Sequence, residues 1–86
     1  MKSNHDISAI PPETVIWEQI RMHNMKKEEF TDRMFLSKEN ADSLLNGKMK
    51  LTYDIALRLK HVFGNSTDFW LNLESAYRKN KSELFK

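Results

Sequence analysis

Apolar residues in this chain recur at spacings of three and four, not two. Ile16 and Ile20, Phe30 and Met34, Ala41 with Leu44 and Leu45, and Ile55, Ala56, Leu59, Val62 and Phe63 each mark one side of a 3.6-residue turn. That periodicity predicts an all-α fold. Only two glycines and two prolines occur in 86 residues, too few for a short-turn all-β fold or a disordered chain. The length allows one hydrophobic core.

Local signals divide the chain into five helices. Residues 1–10 read as a flexible lead-in to a domain spanning 11–78. Pro11-Pro12-Glu13 opens the first helix, with proline in the first turn and an acid beside the positive end of the dipole. Ile16, Trp17, Ile20 and Met22 are its expected buried side, and His23-Asn24 ends it. The second helix is expected from Lys27 to Met34, with Phe30 and Met34 inward. Ser37 caps the third, where Ala41, Leu44 and Leu45 are apolar, and Asn46-Gly47 stops it. Thr52 caps the fourth and Gly64-Asn65 closes it. Ser66 caps the fifth, with Phe69, Trp70, Leu73, Ala76 and Tyr77 as its inner face. Glu29–Arg33, Asp54–Arg58 and Glu74–Arg78 are spaced as acid-first ion pairs. From Lys79 to Lys86 the chain reads as a polar, basic tail that frays.

The second and third helices are short, about ten residues each, and only about two residues near Phe35 and Leu36 separate them. Helices that short are marginal alone and depend on tertiary packing. Two of them joined by a tight turn in an all-α domain suggest a helix-turn-helix. At 100° per residue, placing Ala41, Leu44 and Leu45 inward turns Glu39, Ser43 and Asn46 outward, with Lys38 and Asn40 at the N-terminal end. In a helix-turn-helix that end is directed at base edges. Lys27, Lys48 and Lys50 flank it as phosphate donors. A polar outer face is also the normal condition of any surface helix, and Glu39 and Asp42 make this one locally acidic. Spacing alone leaves both readings open.

Charge distribution is compatible with DNA contact without demanding it. The net charge is +2. Residues 26–60 hold eight bases against six acids, and residues 78–86 hold four bases against one acid.

The stretch Leu51–Leu73, reading LTYDIALRLKHVFGNSTDFWLNL, resembles the HigA family of antitoxins. Leu45-Asn46-Gly47-Lys48 is similar to that family's loop after the recognition helix, and Pro12-Glu13 to its opening. The resemblance runs from about Ile10 to Arg78. Its FWLNL segment is specific, while the helix-turn-helix half is generic to the larger Xre, phage-repressor-like family. It implies a five-helix, lambda-repressor-like domain without enzymatic activity. It also implies a homodimer on a palindromic operator in double-stranded DNA, usually its own promoter. The implied partner is a small ribosome-dependent RNase toxin of the RelE-like, HigB type. Three positions depart from the family pattern. Thr31 replaces a small residue, which is tolerable where its hydroxyl finds a backbone carbonyl. Lys27 replaces the usual Gln. Phe35 replaces the usual turn Gly, and a left-handed conformation costs a bulky residue about 1–2 kcal/mol, which predicts another turn geometry.

Other chemistry lacks its residues. No cysteine is present, so disulfide frameworks and thiolate chemistry are excluded. His5, His23 and His61 have no metal-ligand spacing. Glu28 and Asp32 share a helical face that reads as solvated surface. No phosphate-binding glycine loop and no nucleophile–base pair occur, so no cofactor and no catalysis are expected. No apolar run approaches the roughly 20 residues of a membrane span. With no secretory pattern at the start, the expected compartment is the cytoplasm. Nine aromatic residues are many for so small a domain. Phe69, Trp70, Leu73 and Tyr77 are therefore expected at a dimer interface. Two further functional readings stay open: a free-standing Xre-type repressor of a mobile element, and a toxin-binding module without DNA affinity.

Overall fold

The computed structural model describes residues 10–84. The lead-in expected over residues 1–10 lies, apart from Ile10, outside the described residues. Five helices follow in order: α1 Pro12–Met22, α2 Lys27–Met34, α3 Lys38–Leu45, α4 Tyr53–Phe63 and α5 Thr67–Leu84. The described residues contain no strand. The architecture is an all-α, lambda-repressor-like domain with a helix-turn-helix at α2–α3.

Helix ends follow the local chemistry. Pro12 sits in the first turn of α1, where its missing N–H is no loss. The hydroxyls of Ser37, Thr52 and Ser66 accept from the N–H groups of Asn40 (3.1 Å), Ile55 (3.3 Å) and Phe69 (3.0 Å). Asn24, one residue past the C-cap of α1, is left-handed at φ 52°, and Gly64 takes φ 89° where α4 closes. α5 runs without a break through Lys79 to Leu84, so the expected tail begins as helix.

α4 packs mainly on α5 and α2, and α1 packs on α3 and α5. Ile16, Ile20, Phe30, Met34, Leu44, Leu45, Leu59 and Trp70 meet in one core. Two residues of α1 depart from expectation. Met22 is 69% exposed, because it falls on the outer side of the last turn. Trp17 is also exposed, and its indole N–H donates to the Leu45 carbonyl at 3.0 Å. That bond satisfies one of the open carbonyls at the end of α3.

The inner face of α5 differs more. Trp70 is fully buried within the single chain, so it belongs to the core and has no surface to offer a second subunit. Ala76 faces solvent, while Glu74 is buried. The Glu74 carboxylate accepts from Arg78 Nε, and this bond raises the guanidinium pKa above its ordinary value. Burying a carboxylate is tolerable here because the Arg78 guanidinium pairs with it from the surface, its own side chain 41% exposed. Arg78→Met is expected to destabilise the domain by about 2 kcal/mol, since it strands that carboxylate. Glu74→Leu combined with Arg78→Met should return the urea midpoint close to wild type, because an apolar pair needs no partner.

Candidate nucleic-acid interface

The α2–α3 unit is fixed at its turn. Phe35 is left-handed after all, at φ 57° and ψ 41°. The expectation of another geometry fails because the surroundings hold the turn. The N–H of Phe35 donates to Asp32 O (3.1 Å) and that of Leu36 to Thr31 O (3.2 Å). From α4, Arg58 Nη1 donates to Met34 O (2.8 Å) and Phe35 O (3.0 Å). The guanidinium thereby caps the open carbonyl end of α2, where a positive charge also suits the dipole. Asp54 holds Arg58 from behind at 3.3 Å. The Thr31 hydroxyl donates to Lys27 O at 2.9 Å, which is how a polar residue is accommodated there.

α3 presents a two-sided helix of eight residues, as α2 does, slightly shorter than the spacing suggests. Ala41, Leu44 and Leu45 are buried beneath it. Lys38, Glu39, Asn40 and Asn46 are exposed, and Ser43 and Asp42 are half-buried at its edge. Gly47, left-handed at φ 75°, turns the chain away, and a Cβ there would collide with the Glu13 carboxylate. Lys48 and Lys50 are exposed in the following loop, which Leu51 anchors in the core.

Lys27 at the start of α2 forms an ion pair with Asp42 of α3. Beside it lies a cleft of about 370 Å³ lined by Lys27, Glu28, Thr31, Asp32 and Lys38. Lys27 and Lys38 thus converge on one cleft, whereas Lys48 and Lys50 follow the far end of α3. Sequence spacing misses two participants. Asp42 is legible only as an acid on α3, and Arg58 only as a partner for Asp54. No local signal places either side chain against a residue of another helix. Among the described residues no group of three or more His, Asp or Glu could hold a metal ion. No helix of the described residues is long and apolar enough to cross a membrane.

Known proteins share this fold. No family model matches the chain. YddM of Escherichia coli K12, an uncharacterised HTH-type transcriptional regulator, is 35% identical over 72 residues, which cover 84% of this chain and 77% of YddM. YbaQ of the same organism, also an uncharacterised HTH-type transcriptional regulator, is 32% identical over 66 residues; they cover 77% of this chain but only 58% of YbaQ. An addiction module antidote protein of the HigA family from Coxiella burnetii superimposes with a TM-score of 0.78 at 29% identity, over 86% of this chain and 82% of that one. Antitoxin HigA of Pseudomonas aeruginosa, solved with the higBA promoter, gives 0.79 over the same shares at 21% identity, a likeness of fold. With its helix-turn-helix, its FWLNL segment and these relatives, the chain belongs to the Xre-like helix-turn-helix regulators of the HigA antitoxin family.

Proposed function

We propose that this chain is the antitoxin of a type II toxin–antitoxin pair. In this reading it is a homodimer that binds a palindromic operator, represses its own operon and neutralises a RelE-like mRNA endonuclease of the HigB type. The observation that carries DNA binding is the two-sidedness of α3. Its apolar side is spent on the core, and Lys38, Glu39, Asn40 and Asn46 stand clear of the protein's own body. These types match base edges: Asn pairs with adenine, Glu accepts from cytosine and Lys donates to guanine. Ser43 reaches the same groove from the edge of the helix. Lys48 and Lys50 are placed for phosphates. The HTH-type regulators and the promoter-bound HigA among its relatives support the same reading. The outer edge of α5, with Phe69 exposed and Leu73 and Tyr77 half-buried, is the proposed dimer contact.

Two measurements test this. In the first, the chain is coexpressed with the neighbouring reading frame, followed by co-purification and growth rescue. A complex with rescue is expected; rescue without a complex favours a free-standing repressor. In the second, duplexes of about 30 base pairs are selected by the protein from a random pool, enough for two half-sites one helical turn apart. Substitutions at Lys38, Glu39 or Ser43 are expected to change sequence choice. Lys48→Gln with Lys50→Gln should weaken every duplex alike and flatten the salt slope by about 0.9 for each phosphate no longer neutralised. A toxin complex with no duplex binding at low salt leaves only the interaction module. Unchanged sequence choice in the Lys38, Glu39 and Ser43 variants rejects α3 as the reading helix.

A further inference from the structure

The front of the helix-turn-helix poses an electrostatic problem. Lys38, Glu39 and Asp42 leave α3 with one excess negative charge, and Glu28 and Asp32 of α2 border the cleft beside it. A duplex carries a phosphate charge about every 1.7 Å along its axis, so bare carboxylates facing it are repelled. The geometry points to Lys27 as the residue that resolves this. Its ammonium is engaged by the Asp42 carboxylate across the two helices. We infer that Lys27 acts as a mask for Asp42, cancelling the acid that most directly edges the reading face, and not as a phosphate donor. This rests on the DNA-binding reading proposed above and gives Lys27 a role different from the one its position suggests in sequence.

The geometry supports masking over donation. Both side chains of the pair are partly exposed, 44% for Lys27 and 37% for Asp42. A cation so placed keeps its partner while a duplex approaches, since breaking the pair to reach a phosphate would unmask a like charge beside that same phosphate. The backbone at Lys27 is also held, because its carbonyl accepts the Thr31 hydroxyl. Lys38 shares the cleft and stays exposed for a base edge.

A double-mutant cycle separates the two roles. The probe is the selected duplex, beside a shuffled duplex of the same composition, in anisotropy titrations over a salt series. Masking predicts that Lys27→Gln weakens binding about fivefold to tenfold, as expected from one bare charge near the backbone. Asp42→Asn alone should strengthen binding by a similar factor, because it leaves the Lys27 ammonium bare beside the same backbone. Lys27→Gln with Asp42→Asn should restore wild-type affinity and the wild-type salt slope, since every phosphate keeps its cation. Donation predicts instead a double variant that stays weaker than wild type and whose slope is shallower by about 0.9. A double variant weaker than wild type with that shallower slope overturns the inference while leaving the proposed function standing. Absence of duplex binding by the wild-type protein at low salt overturns both. Thermal melts within a few degrees of wild type are expected for all three variants, because an exposed pair adds little stability. A variant that melts early is replaced by Lys27→Met or Asp42→Ser, for which the same cancellation in the double variant is required.

Discussion

Trp70→Ala is expected to bring this domain to the edge of unfolding. Trp70 is fully buried. Its ring lies 6.2 Å from Phe63 and meets Phe69 edge-on at 5.1 Å. Phe63 in turn stacks on Phe30 at 5.9 Å and touches His23 at 5.3 Å. One indole therefore ties α5 to α4 and, through Phe63, to α2 and the end of α1. Emptying such a site costs about 3–5 kcal/mol. Domains of this size hold only about 5–10 kcal/mol in total, so the variant sits at the edge of unfolding, with a melting temperature lower by about 15 °C or more. The indole N–H has no hydrogen-bond partner among the described groups. Trp70→Phe therefore loses packing alone, about 1–2 kcal/mol, and should still fold. Circular dichroism with sedimentation distinguishes this from an interface role. A Trp70→Ala protein that dissociates into a folded, cooperatively melting monomer contradicts the core assignment.

What is legible in the chain is what is decided within one or two helical turns. α2 falls on Lys27–Met34, and Ser37, Thr52 and Ser66 cap where expected. Each cap depends on a side chain reaching an N–H three residues away. The buried side of α3 is equally legible, because periodicity follows directly from backbone geometry. The departures are matters of depth or of contacts between helices. Glu74 is buried while its partner Arg78 stays partly exposed, and spacing shows the pair but not its depth. Trp17 reads as core and is half outside, because its N–H caps α3 from 28 residues away. Lys27 reads as a free cation, and the acid that holds it lies on the next helix. A reading face is thus recognisable from spacing, whereas its charge balance depends on contacts between helices.

The turn at Phe35 shows the same principle with the largest consequence for the site. Its left-handed backbone costs about 1–2 kcal/mol for a non-glycine residue. The exposed ring, 86% accessible, gains little burial in return. The compensation comes from Arg58, which donates to two carbonyls of the turn. Bonds from a charged donor are worth about 1.5–3 kcal/mol each, less where the donor is partly solvated, as this guanidinium is. Arg58→Met keeps the aliphatic stem and removes both bonds, so a destabilisation of about 2–3 kcal/mol is expected, or a melting temperature lower by roughly 10–15 °C. Phe35→Gly alone should change stability by less than about 1 kcal/mol, since relief of backbone strain is offset by a freer unfolded chain. In the Arg58→Met background it should recover about 1 kcal/mol, because glycine adopts the turn without a clamp. The two residues are therefore coupled, although 23 positions separate them. Arg58→Met should also weaken duplex binding more than its melting temperature accounts for, since α3 takes its angle from this turn. Melts and titrations of the four proteins test it; an Arg58→Met protein that melts within about 2 °C of wild type would show that the turn holds without its clamp.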